Sequence, residues 1–313
     1  MTLFGLAPAV FQALAGILGL LLLASILVAL LGPKLAPALR AELVQRIQSW
    51  WLMFFVFAVA LVLSRNISLA FFGFVSFMAL KEYFSLIPTR RVDRRVLFWA
   101  YLTIPAQYTL VGMEWYGMFI ILIPVYAFLL LPMRMVLVGE PRNFLRAAGT
   151  LHWGLMAMVF SISHVAYLLV LPESVNPGAG GAGLVLFLVV LTQLNDVAQY
   201  CWGKLLGRHK ALPTVSPGKT TEGLIGGVLT TTTLAWLLAP WLTPLSAIEA
   251  LAAGLLIGLG GFIGDVTISA LKRDLGVKDS GSLLPGHGGI LDRIDSLIYT
   301  APLFFHFVHY LYY

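Results

Sequence analysis

Apolar positions in this chain come in long, nearly unbroken runs, and the charged residues fall in short groups between them. A hydrocarbon core about 30 Å thick is crossed by a helix of roughly 20 apolar residues. The pattern predicts about ten spanning or membrane-buried helices, near residues 8–32, 49–64, 67–84, 97–112, 115–133, 150–171, 183–202, 223–243, 247–268 and 296–311. In lipid every backbone polar group must be satisfied within its own element, so runs of this length are read as helices. The expected fold class is all-α, a polytopic integral membrane protein. With no internal repeat and no hydrophilic domain, one membrane domain is the simplest organisation: generic helices over residues 1–180, and a C-terminal region, 181–313, that carries the chemically distinctive connections.

Composition agrees with this reading. At 59% hydrophobic and 11% charged residues over 313 positions, the chain has too little polar surface to cover a water-soluble globule. The first run has no Lys or Arg ahead of Lys34 and is long enough to span, so it reads as a retained helix rather than a cleaved signal peptide. A net charge of +6 could suggest nucleic acid, but the basic residues are scattered between apolar runs instead of lining one face, and nucleic-acid binding is not expected. The lone Cys201 excludes an intrachain disulfide and a cysteine metal cluster.

The positive charges also orient the chain. Alternate connections hold Lys34, Arg40 and Arg46; Lys81, Arg90, Arg91, Arg94 and Arg95; Arg134, Arg142 and Arg146; Lys204, Arg208, Lys210 and Lys219; and Lys272, Arg273, Lys278 and Arg293. Only Arg65 lies on the other side. The positive-inside rule places those connections in the cytoplasm and the N-terminus outside.

Five of the seven aspartates lie between Asp265 and Asp295. An uninterrupted helix through "GFIGDVTISALKRD" sets Asp265, Ser269 and Lys272 on one face, and a carboxylate closing a long apolar run usually faces a cavity or a partner. The following "LPGHGG" cannot continue a helix, and in "ILDRIDSLIYTAPLFF" the first turns carry Asp292 and Asp295 three residues apart. A glycine turn feeding a helix start offers backbone N–H groups to phosphate oxygens. Aspartates beside it suit Mg²⁺, which takes a few carboxylates together with phosphates and water. Lys272, Arg273, Lys278 and Arg293 add positive charge for phosphate. The constellation points to nucleotide chemistry.

Upstream, "SPGKT" is not a P-loop: Pro213 stands where that motif needs glycine, and no strand is expected before it. Ser216, Lys219 and Thr220 remain candidates to hold phosphate from a loop, with Asn195 and Asp196 expected to close an apolar helix nearby. Gly254, Gly258, Gly260 and Gly264 are read as close-packing positions. His152 and His164 are read as core or cavity residues.

The run Ser269–Asp295, "SALKRDLGVKDSGSLLPGHGGILDRID", resembles the C-terminal hallmark of the CDP-diacylglycerol synthases, or phosphatidate cytidylyltransferases. Their pattern is Ser-x-apolar-Lys-Arg, four residues, Lys-Asp, then Pro-Gly-His/Gln-Gly-Gly and Asp-Arg-x-Asp, and every fixed position is matched. "NDVAQYCWGKLLGRHK" and "SPGKTTEG" are similar to a second region of the same family, so the resemblance covers about residues 195–296. The chain departs from it at Gly218, where the family usually has a second lysine or similar residue, and around Gln199 and Tyr200. The N-terminal half is only generically similar.

The resemblance implies that CTP and phosphatidate give CDP-diacylglycerol and pyrophosphate, with Mg²⁺ required at Asp265 and Asp292 and K⁺ as a second cation. It implies an active site that also uses Asp196, Asp279, Asp295, Ser269, Gly286, His287, Gly288 and Gly289, in a homodimer of a bacterial-type inner membrane. Rival expectations are another lipid phosphate as acceptor, such as an isoprenoid one, an ion-coupled transporter, or a non-catalytic paralogue.

Overall fold

The computed structural model describes residues 7–281 and 288–313. Ten helices follow the predicted runs: α1 (Pro8–Leu31), α2 (Pro37–Leu63), α3 (Arg65–Leu86), α4 (Arg94–Gly112), α5 (Tyr116–Val136), α6 (Phe144–Leu168), α7 (Gly180–Leu206), α8 (Thr221–Leu242), α9 (Ala247–Asp274) and, after a single turn α10 (Leu291–Ile294), α11 (Leu297–Tyr312). Eight of them are long and apolar enough to cross a membrane, and the two that fall short are α4 and α11. The protein is an all-α integral membrane protein, with one small hairpin among the described residues.

That hairpin corrects the sequence reading. Lys210–Leu212 (β1) and Ser216–Thr220 (β2) pair antiparallel, so the "SPGKT" segment is a strand and not a loop. The ladder is extended by the Thr221 N–H donating to the His209 carbonyl at 3.0 Å. Its strand then becomes the start of α8, where the Thr220 hydroxyl accepts the Gly223 N–H at 3.1 Å as the N-cap. α7 likewise runs on to Leu206, which leaves Asn195 and Asp196 inside the helix instead of at its end.

A continuous buried core runs from Val10 to Val308 and includes Tyr83, Phe119, Phe187, Phe304 and Phe305. The outward apolar residues of α1, such as Leu20, Leu23 and Leu30, stay exposed because lipid, not protein, covers them. α8 packs between α7 and α9, and α11 packs against both α9 and the C-terminal half of α6. The close approach of α8 to α9 depends on small residues: a Cβ at Gly254 would lie 2.6 Å from the Thr232 Cα. Asn195, fully buried on α7, ties all three together by donating to the Gly258 carbonyl at 3.2 Å and accepting from the Thr231 hydroxyl at 3.0 Å.

α9 carries most of the candidate chemistry, and its ends are well defined. Ser246 and Glu249 form a reciprocal capping box at its start. At its finish Gly276 adopts φ +71°, the Gly276 N–H donates to the Arg273 carbonyl, and the Val277 N–H donates to the Lys272 carbonyl. This paired closure, with glycine in the left-handed position, stops the helix two residues after Lys272.

Candidate functional site

Two charged residues of α9 enter ion pairs. Near the middle of its polar face the Lys219 ammonium, delivered by β2, sits 2.5 Å from Asp265 Oδ2 and 3.1 Å from Gln199 Oε1, and the Ser269 hydroxyl donates to Asp265 Oδ1 at 3.3 Å. About two turns further along the helix the Lys272 ammonium sits 2.6 Å from Asp292 Oδ1. Both ion pairs are largely shielded, with side-chain exposures of 19% and 21% for the first and 14% and 9% for the second. Removing one member of such a pair leaves an uncompensated charge in a low-dielectric setting.

Asp196 and Asp295 gather beside the first pair. The Ser296 hydroxyl lies 3.0 Å from Asp196 Oδ2 and 3.1 Å from the Gly261 carbonyl, and the Ser296 N–H donates to Asp295 Oδ1 at 2.8 Å. Burial, and then the neighbouring Asp265 and Asp196 charges, push the Asp295 carboxyl well above the usual carboxylate range. Burial alone would lower the Lys219 ammonium, but the Asp265 and Asp196 carboxylates outweigh it and raise its pKa. Arg293 faces the same acids, and its buried Nε has no hydrogen-bond partner among the described residues. Three carboxyl groups, Asp196, Asp265 and Asp295, thus share this part of the α7–α9 packing with the cations Lys219 and Arg293.

Glycine makes that grouping possible. A Cβ at Gly264 would collide with the Asp295 carbonyl oxygen, and one at Gly261 would lie 2.7 Å from Asn195 Nδ2. The Asp295–Ser296 turn thus rests directly on α9. The segment is not one helix from Leu291 onward: it breaks between Ile294 and Leu297, so Asp292 and Asp295 serve different partners.

The glycine turn also departs from expectation. The N–H groups of Gly289, Ile290 and Leu291 are not free for phosphate, because each already meets a carboxylate. The Gly289 N–H, the Ser280 N–H and the Ser280 hydroxyl donate to Asp292 Oδ2 at 3.1, 3.1 and 2.8 Å, and the Ile290 and Leu291 N–H groups donate to Glu82 at 2.9 and 3.2 Å. Gly288, at φ +76°, has no room for a Cβ beside Asp292 Oδ2. Gly286 and His287 lie outside the described residues.

The remaining candidates are spread around this centre. Arg273 Nε donates to the Val215 carbonyl at 3.3 Å and so joins the end of α9 to the hairpin turn. Lys278 and Asp279 are exposed, with no ion pair or hydrogen bond among the described residues, and Ser216 is half-buried on β2. Thr220 is engaged as the cap of α8. Away from the site, His164 is buried and its Nδ1 bonds the Phe160 carbonyl, as a core histidine would. Glu82 was not legible as a site residue, because a lone glutamate on an N-terminal apolar helix carries no motif.

Burial tends to raise the Asp292 carboxyl, but the hydrogen bond and charge of Lys272, with the Ser280 and Gly289 N–H groups, win and leave it below its ordinary value of 3.8. An acid depressed in the folded state adds stability that is full above its unfolded pKa and is lost as pH falls through the folded one. Thermal unfolding followed from neutral pH to below 3.8 should therefore show an acid loss of stability that is reduced in Asp292→Asn.

Comparison with known proteins gives a consistent picture. Residues 44–311 match the model of the "Cytidylyltransferase family". The chain is 48% identical over 299 residues to "Uncharacterized protein YnbB" of Escherichia coli (strain K12), covering 96% of this chain and 98% of that one. It is 50% identical over 144 residues to a phosphatidate cytidylyltransferase of Synechocystis sp., and 38% identical over 131 residues to one of Staphylococcus saprophyticus. These two alignments cover 44% and 39% of this chain, and in both the chain spans about half the relative's length, 48%.

Proposed function

We propose, for a chain that belongs to the cytidylyltransferase family, that it transfers the cytidylyl group of CTP to phosphatidate, giving CDP-diacylglycerol and pyrophosphate. The observation that carries this reading is the pair of shielded lysine–aspartate contacts, Lys219–Asp265 and Lys272–Asp292, set by one helix beside the Asp196–Asp295 patch. Such a site offers cationic groups to phosphates and carboxylates to a metal, the two needs of nucleotidyl transfer between anions.

Among the described residues no three His, Cys, Asp or Glu side chains are gathered so as to hold a metal by themselves. That suits Mg²⁺, which binds one or two carboxylates and takes its other ligands from water and phosphates. Asp265 and Asp292 would hold it, with Asp196 and Asp295 adding negative charge beside Asp265. Carboxylate oxygens are the hard ligands such a cation takes; here Asp265 meets Lys219 and Ser269, and Asp292 meets Lys272, Ser280 and Gly289, donors that a bound cation would in part displace. When bound, Mg²⁺ would neutralise phosphate charge and polarise the P–O bonds. K⁺ as a second cation belongs to the same proposal, beside Asp196 and Asp295.

In the proposed reaction an oxygen of the lipid phosphate forms a bond to the α-phosphorus of CTP, and the bond from that phosphorus to the oxygen bridging the α- and β-phosphates breaks, that oxygen leaving with pyrophosphate. The lipid phosphate is already ionised, so no strong general base is required, and Asp295 need not act as one. Lys219, Lys272 and Arg293 hold the phosphates and counter their repulsion, with Arg273 and Lys278 at the rim and Ser216, Thr220 and Ser269 as further hydrogen-bonding groups. Alignment of the two anions in line is the main task of these side chains. The reading places this end of the helices in the cytoplasm of a bacterial inner membrane, where CTP is available, in a protein that works as a homodimer.

The test is an assay of detergent-purified protein with labelled CTP, Mg²⁺ and either phosphatidate or a polyprenyl phosphate. CDP-diacylglycerol and pyrophosphate are expected from phosphatidate. Product from the polyprenyl phosphate alone would keep the transfer chemistry and replace the acceptor, while no product from either lipid would overturn the reading.

A further inference from the structure

The N-terminal helices touch the glycine-turn motif through Glu82. This residue lies in the last turn but one of α3, and its carboxylate reaches across 208 positions of sequence to the Ile290 N–H at 2.9 Å and the Leu291 N–H at 3.2 Å. Glu82 makes no ion pair among the described residues, so the charge of this half-buried group is met by backbone donors. Hydrogen bonds to a charged acceptor are about twice as strong as neutral ones.

The glycines around it fit the same contact. Gly289 does not occupy the left-handed region, so its backbone could accommodate alanine, yet a Cβ there would collide with Glu82 Oε1. A Cβ at Gly281 would lie 3.2 Å from Glu82 Oε2. A side chain at 289 would thus displace the Glu82 carboxylate, so the glycine there is tied to Glu82 and not to the turn. The residues that Glu82 holds lead directly into Asp292, whose Oδ2 is fixed by the Gly289 N–H one residue before Ile290.

We propose that Glu82 is a positioning residue for Asp292: it anchors the backbone of residues 290 and 291 to α3 and thereby sets the carboxylate against Lys272. The proposal rests on the nucleotidyltransfer reading for its activity readout. It supplies the N-terminal helices with a role in the chemistry without any contact to substrate. Partners that orient a metal-binding carboxylate typically change affinity or activity by about 10- to 100-fold when removed.

The experiment compares full-length wild type with Glu82→Ala, Glu82→Gln, Gly289→Ala and the double variant Glu82→Ala/Gly289→Ala. It measures kcat, the KM for CTP, thermal unfolding, and amide hydrogen exchange at residues 288–296. Glu82→Ala should lower kcat by about 10- to 100-fold with KM for CTP little changed and with faster exchange at Ile290 and Leu291. Glu82→Gln, which keeps an acceptor oxygen, should recover most of the rate. Gly289→Ala should be impaired alone and add no further loss in the Glu82→Ala background, because the colliding oxygen is gone.

Unchanged kcat in Glu82→Ala, or losses that simply multiply in the double variant, would overturn the proposal. Should Glu82→Ala fail to fold, Glu82→Gln and Gly289→Ala decide: a near-wild-type rate in Gly289→Ala overturns it, and an impaired Gly289→Ala beside an active Glu82→Gln supports it. Inactive wild type would instead count against the transfer reading, and the exchange measurement would still report whether Glu82 holds the turn.

Discussion

Asp265→Asn should reduce cytidylyl transfer by about a hundred- to a thousandfold, the scale of removing one preorganised electrostatic group from a reaction centre. The substitution keeps shape and removes charge. It leaves Lys219 with Gln199 Oε1, so the buried ammonium loses its closest counter-charge but not every partner. It also relieves the repulsion that Asp196 and Asp295 feel from Asp265, which limits the cost to folding. A protein that unfolds near the wild-type temperature yet does not turn over labelled CTP is the expected result. Asp292→Asn should be equally inactive and less stable, because four donors converge on that one carboxylate. Near-normal turnover in both variants would remove the proposed metal ligands.

The second large effect is expected from a single methyl group. Gly264→Ala should destabilise the protein by roughly 1–3 kcal/mol, the usual cost of forcing volume into a packed interior, although alanine is the better helix former by up to about 1 kcal/mol. The added carbon meets the Asp295 carbonyl, which is backbone and cannot swing away. Relief requires moving the Asp295–Ser296 turn off α9, and with it the bond from the Ser296 hydroxyl to Asp196. Turnover should therefore fall together with stability, since displacements near 1 Å can cost up to about a hundredfold in rate. Gly260→Ala is the control: its Cβ meets the Leu303 Cδ1 tip at 3.2 Å, which can rotate, and Thr300 at ordinary contact distances of 3.5 and 3.9 Å, so stability should be unchanged or improved. Equal thermal shifts in the two variants would contradict this account of the packing.

The helices were legible because lipid imposes one rule, a run of apolar residues long enough to cross, and that rule is written along α1 and the first half of α7. The motif residues were legible because charge inside such a chain is rare. What the sequence left open depended on contacts far apart in the chain. The β1–β2 hairpin is too short for an alternating pattern and is stabilised by its junction with α8. The break at Asp295 follows from the approach of that carbonyl to Gly264, some thirty residues away. The occupied N–H groups that follow the glycine turn, at Ile290 and Leu291, depend on Glu82, which no local spacing connects to them.

One consequence follows from the position of Asp265 and Lys272 on the same helix. Seven residues of α-helix separate their Cα atoms by about 10.5 Å along the axis, from within the apolar span to its polar end. The proposed chemistry is thus arranged along the axis of α9, from its polar end into its apolar span. Drawing a lipid outward costs about 0.8 kcal/mol for each methylene that leaves the hydrocarbon. On the proposed reading, a shaft of charge that descends to the phosphate group would let the acyl chains stay at their own depth, with the water-soluble substrate doing the travelling.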